Sequence, residues 1–161
     1  MRHLLVVRHG PAAAKAAGGN DRDRPLTPEG RRAVEALASR LRAEAPAPDR
    51  ALCSTARRAQ ETLDLLLHEG PPTEVDLEDA LYLADARSLL RRLRELRADA
   101  GCVLLVGHNP GLQELAALLG RQGADAIAAG LPAAGAVLFD VESDWSELGP
   151  ESARPRAFYS P

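Results

Sequence analysis

Aromatic residues make up only 3% of this 161-residue chain, as one Trp, two Tyr and two Phe. Proteins that hold nucleic acid usually stack bases on aromatic rings and draw the phosphate backbone with basic surface. Here the formal net charge is -3, so that attraction is missing as well, and nucleic acid is not an expected partner. Cysteine is scarce too. Cys53 and Cys102 each lie inside an apolar run with no His or Cys at metal-ligand spacing, and read as buried free thiols. Long apolar runs are absent. Met1-Arg2-His3 is followed by only four apolar residues before Arg8, too few for the core of a signal peptide or for a membrane span. No membrane partner is expected, and the expected location is cytoplasmic.

Aliphatic residues fill the gap left by aromatics, in a hydrophobic fraction of 45% that is ordinary for a globular protein. The length suits a single domain over 1–161, able to bury roughly two-thirds of its unfolded surface. Nothing points to an obligate interface, so a monomer is expected.

Leu4 to Val7 reads as a short buried strand. An Ala/Gly-rich and then charged loop follows from Pro11 to Pro25; it borders or covers whatever lies at the strand end, and its Asp/Arg run reads as solvated surface. Thr27-Pro28-Glu29 combines a hydroxyl cap, a proline at the first helical position and an early acid, with Val34, Leu37, Ala38 and Leu41 on one helical face. Arg50 to Cys53 is a second strand, Ser54-Thr55 its turn and the cap of a helix carrying Ala59, Leu63, Leu66 and Leu67. Thr73 to Leu77 is a third strand, and Leu89, Leu90, Leu93 and Leu96 mark the next helix. Val103 to Val106 precedes a helix with Pro110 in its first turn; Ala136 to Val141 and a short edge piece Arg156 to Tyr159 complete the strands. The stretch Gly120 to Ala134 supports no assignment. Strands alternating with helices imply an α/β three-layer sandwich, a mostly parallel sheet with helices on both faces.

Functional groups recur at the strand ends. Leu4-Leu5-Val6-Val7 runs into Arg8-His9-Gly10, the second strand is followed by Arg57-Arg58, and Val103-Leu104-Leu105-Val106 runs into Gly107-His108-Asn109-Pro110. Open α/β sheets bind ligands at the carboxyl ends of their strands. Two neighbouring strands would bring His9 and His108 to one crevice beside arginine, a site suited to an anionic group.

These segments resemble the histidine phosphatase (phosphoglycerate mutase-like) superfamily, and within it the small SixA-type phosphohistidine phosphatases. Val7-Arg8-His9-Gly10 resembles the signature of the nucleophilic histidine, and Arg24-Pro25-Leu26-Thr27-Pro28-Glu29-Gly30 the opening of the first helix. Ser54-Thr55-Ala56-Arg57-Arg58-Ala59-Gln60-Glu61-Thr62 resembles the motif in which the arginine four places after the serine binds phosphate, which selects Arg58. Val106-Gly107-His108-Asn109-Pro110-Gly111 resembles the second-histidine motif. The resemblance implies a phosphoglycerate mutase-like fold, His9 as nucleophile, and Arg8, Arg58 and His108 as catalytic and phosphate-binding residues, with Asn109 assisting in binding.

The chemistry suits those residue types. A transferring phosphoryl group spreads negative charge over its oxygens, and forked arginine donors match that charge. No metal ligand and no cofactor is then required. A nucleophilic histidine needs one free ring nitrogen while an acceptor holds the other N–H. Larger relatives add a glutamate acid; here only Glu78 and Asp79 stand in the comparable stretch, with Asp85 further on, and none lies in a matching motif. About fifty residues separate Arg58 from His108, room for one strand and one helix but no large cap insertion. A site with neither strong acid nor lid favours P–N cleavage in a phosphohistidine-bearing protein or a small phosphoramidate. A small-molecule phosphomonoesterase on the same scaffold and a non-catalytic phosphate-binding module are the alternatives.

Overall fold

The computed structural model describes residues 1–121, 127 and 129–161. The unassigned stretch Gly120 to Ala134 thus lies partly outside the described residues. Six strands, β1 Arg2–Arg8, β2 Arg50–Ser54, β3 Glu74–Glu78, β4 Cys102–Gly107, β5 Ala136–Val141 and β6 Ala153–Tyr159, form one sheet in the order β3-β2-β4-β1-β5-β6. β3, β2, β4 and β1 run parallel, and β5 and β6 are antiparallel additions. The mostly parallel expectation holds. The final strand is longer than its apolar text, because a register shift at Leu138/Phe139 lets Ala153 and Arg154 pair with β5.

The central strands are buried on both sides, which is why they read as continuous apolar runs. Alternation along them sorts their side chains between two cores. Leu4, Val6, Leu52, Val103 and Leu105 meet the apolar faces of α3 (Ala86–Arg94) and α4 (Gly111–Leu119). Leu5, Val7, Ala51, Cys53, Leu104 and Val106 meet α1 (Pro28–Glu44) and α2 (Arg57–Leu67). The lone Trp145 closes the first core with its indole N–H donating to Ala100 O at 2.9 Å. Cys53 and Cys102 are buried free thiols, and burial pushes both up to about 12, far from thiolate chemistry.

Local signals place the helices at the mouth of the sheet. Thr27 Oγ1 accepts from Gly30 N at 2.9 Å, the cap its sequence announces. Ser54 and Thr55 do not cap α2, whose N-cap is Ala56; the Ser54 hydroxyl is directed to a histidine instead. Pro110, joined to Asn109 by a cis peptide bond, sits one residue before α4 rather than in its first turn. Gly111 allows α4 to start hard against the Ala84 carbonyl, where a Cβ would collide with backbone. No described helix is long and apolar enough to cross a membrane.

Candidate active site

β1 and β4 are hydrogen-bonded neighbours with Arg8 opposite Gly107, so the next residue of each, His9 and His108, emerges at one point. Their ring centroids are 5.1 Å apart. β2 flanks β4, with Cys53 opposite Val106, and delivers Ser54 and the first turn of α2 to the same edge. Arg8, His9, Arg58 and His108, drawn from three strand ends, therefore gather at one sheet edge.

His9 is oriented by its own neighbour. Its Nδ1 lies 2.8 Å from Gly10 O; a carbonyl only accepts, so Nδ1 carries the proton and Nε2 keeps its lone pair. Gly10 is in turn fixed by its N–H donating to Thr62 Oγ1 at 3.0 Å, while Thr62 Oγ1 donates to Arg58 O at 2.7 Å. The buried Thr62, one turn beyond Arg58, thus locks the His9-Gly10 loop to α2. Burial, and then the charges of Arg58 and Arg8, pull His9 down to about 4 against the opposing Gly10 bond.

Arg58 is only 3% exposed and grips the site along two edges of its guanidinium. Along one edge Nε donates to His9 Nε2 at 3.3 Å and Nη2 lies 3.4 Å from His108 Nδ1. At the far end Nη1 donates to Asp21 O at 2.8 Å and Nη2 to Asp21 Oδ2 at 3.0 Å. Arg57, by contrast, turns outward to Glu61 at 3.1 Å. Arg8 Nη1 donates to Leu131 O at 3.1 Å, while its buried Nε has no hydrogen-bond partner among the described residues, a donor left unsatisfied.

His108 is buried, with Nε2 2.8 Å from Ser54 Oγ. Ser54 Oγ also accepts from Ala56 N at 3.2 Å. A guanidinium only donates, so the contact with Arg58 Nη2 makes His108 Nδ1 the acceptor, and the His108 proton sits on Nε2, donated to Ser54 Oγ. Burial first, then His9 and Arg58, lower His108 to about 3, so both rings are neutral at working pH.

Asn109 is less directly placed. Its Nδ2 donates to Leu131 O at 2.9 Å and its Oδ1 accepts from Gln113 N at 3.2 Å; it secures the carbonyl that Arg8 also grips rather than presenting a free amide. Of the candidate acids, Glu78 receives both of its close bonds from Arg92 Nε at 2.9 Å, on the α3 side. Asp79 is held by Thr55 Oγ1 at 2.6 Å and Arg22 Nη1 at 2.8 Å, and those bonds lower it below the usual carboxylate range. Asp85 caps α3 through Ser88 N at 2.8 Å. Among the described residues no cluster of three or more His, Cys, Asp or Glu is gathered to hold a metal.

The Asp/Arg loop is not merely solvated. Asp21 accepts from Arg58, from Arg24 Nη1 at 2.9 Å and from the Tyr82 hydroxyl. Arg22 covers the Tyr82 ring at 4.2 Å, and Tyr82 meets the His108 ring edge-on at 5.5 Å. Hydrophobic period gives no hint of Asp21 or Tyr82. A polar Thr62 on the apolar face of α2 was the one detectable signal among these partners.

The model of the histidine phosphatase superfamily (branch 1) matches residues 4–82. An uncharacterized protein of Mycobacterium leprae is 33% identical over 146 residues, covering 88% of this chain and 89% of its own. A solved structure assigned to the phosphohistidine phosphatase SixA of Nakamurella multipartitia superposes with a TM-score of 0.89 at 30% identity, covering 99% of this chain and 96% of that one. The 8-oxo-(d)GTP phosphatase of Mycolicibacterium smegmatis is 36% identical over 120 residues, 69% of this chain and 36% of that protein. Fold, pocket and relatives define a phosphatase of the phosphoglycerate mutase-like type. The chain belongs to the histidine phosphatase superfamily.

Proposed function

We propose that this chain hydrolyses P–N bonds through a phosphohistidine intermediate on His9, with phosphohistidine in a protein as its substrate. The Nε2 lone pair of His9 attacks phosphorus in line while the P–N bond pair moves to the leaving nitrogen. A substrate imidazole protonated on its other nitrogen departs neutral. Water then attacks the enzyme's phosphorus, the P–Nε2 pair returns to His9, and inorganic phosphate leaves. Arg58 through Nε and Nη2, with the Arg8 guanidinium and the His108 ring beside it, surrounds the equatorial oxygens; the fixed charge of the two arginines supplies what the transferring group needs without a metal.

The observation that carries the choice of P–N over P–O is the state of the nearby carboxyls. Asp21 and Asp79 are held ionised by cations and hydroxyls, and Glu78 is bound to Arg92. An alkoxide needs a proton donor; a protonated nitrogen leaving group does not. The SixA likeness favours the same reading, and we take residues 1–161 to act as one monomeric domain. The test is phosphate release from a phosphohistidine-bearing protein in EDTA, wild type beside His9→Ala. Release by the wild type alone supports the reading; release by both, or by neither, refutes it.

A second reading, a small-molecule phosphomonoesterase, is favoured by the likeness to the 8-oxo-(d)GTP phosphatase. A cleft of about 650 Å³ beside Arg8, lined by Gln113, Leu131 and the exposed Phe158, would suit an organic group on the phosphate. Preference for aryl or nucleotide esters over phosphoramidate selects it.

A further inference from the structure

We infer that Asp21 is the residue that selects the leaving group, its carboxylate receiving the N–H of a protonated nitrogen as the P–N bond breaks. This rests on the phosphatase reading above and deepens it. The two guanidinium edges of Arg58 divide the work. The Nε/Nη2 edge faces the rings of His9 and His108, where a phosphoryl group in transfer must sit. At the other end Nη1 bonds the Asp21 main-chain carbonyl and Nη2, through its second N–H, the Asp21 carboxylate, so the main-chain bond keeps Asp21 in place when phosphate binds the first edge. Asp21 thus stands across the guanidinium from the attacking nitrogen, with hydrogen bonds of 3.3 Å from Arg58 to His9 and 3.0 Å from Arg58 to the carboxylate. Its side chain is 41% exposed over an Arg58 that is 3% exposed, placing it between the buried arginine and solvent, on the way out of the pocket.

The neighbours of Asp21 hold it anionic. Arg24 comes from its own loop, Arg58 from α2 and the Tyr82 hydroxyl from the segment after β3, and together they hold it well below the usual carboxylate range. Such a group has no proton to give. It accepts hydrogen bonds and stabilises positive charge, the property that distinguishes a protonated nitrogen from an alcohol oxygen.

In phosphoramidate the nitrogen carries its protons and a positive charge before cleavage. The His9 lone pair forms the new P–N bond, the old bond pair moves to that nitrogen, and neutral ammonia leaves. An opposite charge within 4–6 Å is worth about 1–3 pK units, each a tenfold factor.

The experiment compares wild type with Asp21→Asn on phosphoramidate and p-nitrophenyl phosphate. Any loss from loosening Arg58 falls on both substrates, so the ratio of their kcat/KM values reads the leaving group. We expect that ratio to fall about tenfold. The alkaline limb of kcat for phosphoramidate should move about one unit to lower pH, since the bound nitrogen loses its anionic partner. Tyr82→Phe, which removes one donor to the carboxylate but leaves its charge, should keep the ratio within about twofold of wild type and serves if the Asn variant does not fold. An unchanged ratio or an unmoved limb in Asp21→Asn overturns the inference, as does a Tyr82→Phe ratio that collapses. Failure of the P–N reading itself looks different: wild type then turns over the aryl ester but not phosphoramidate, before any variant is made, and the Asp21 inference falls with it.

Discussion

Replacing Arg58 with Ala removes the edge that reaches from His9 Nε2, 3.3 Å away, to His108 Nδ1, 3.4 Å away. Loss of one preorganised donor to a developing oxyanion costs about 2.7–4 kcal/mol, a factor of 10²–10³ in kcat. Two donors on one rigid fork act as a unit and do not add, so the upper end of that range, about 10³-fold, is expected. Arg58→Lys keeps the charge but not the fork, and should recover part of the loss. The fold has its own restraints there, because Thr62 bonds the main-chain carbonyl of Arg58 and Asp21 retains Arg24 and Tyr82. Arg57→Ala is the control: this side chain is 57% exposed and pairs with Glu61 along the helix, an interaction worth about 0.3–0.5 kcal/mol. Its kcat should stay within about twofold of wild type. The assay is phosphate release with kcat and KM separated, beside a thermal melt of each variant. If Arg57→Ala were as damaging as Arg58→Ala, or if Arg58→Ala kept activity within tenfold of wild type, the assignment of the phosphate arginine would be wrong.

Further outcomes follow from the same geometry. With His9 held near 4 by burial and then by Arg58 and Arg8, kcat/KM should stay level well below pH 6.5 and reach half near pH 4; a midpoint near 6.5 would contradict the buried neutral ring. The sign for stability is fixed by the same depression. Above pH 6.5 both folded and unfolded His9 are neutral; between 6.5 and about 4 the unfolded chain takes up a proton that the folded one does not, so Tm should fall across that window. Ser54→Ala strips the hydroxyl from His108 Nε2 and from Ala56 N. It should cost about 1–3 kcal/mol of stability and lower kcat more than it raises KM, read by denaturant melts and kinetics. Trp145→Ala removes a fully buried indole and its bond to Ala100 O; a loss of about 3–5 kcal/mol by urea unfolding is expected, with kcat of the surviving folded fraction unchanged.

Local text was enough for much of this protein. The apolar runs at β1, β2 and β4 are continuous because those strands are buried on both faces, and the Leu and Val spacing of α1 to α4 shows which side of each helix turns inward. Motif order was enough to gather Arg8, His9, Arg58 and His108, since residues just past neighbouring parallel strands must meet at one sheet edge. Only the tertiary structure decided what surrounds them. Asp21 lies in a loop without period, Tyr82 follows an edge strand, and Ser54 reads as a helix cap; each acquires its partner from a segment distant in the chain. The fate of the acids is of the same kind, Glu78 going to Arg92 and Asp79 to Arg22. Hydrophobic periodicity records which face of an element is buried, a property of neighbours along the chain. Polar partnerships depend on which loops fold over the sheet edge, and no local pattern encodes that.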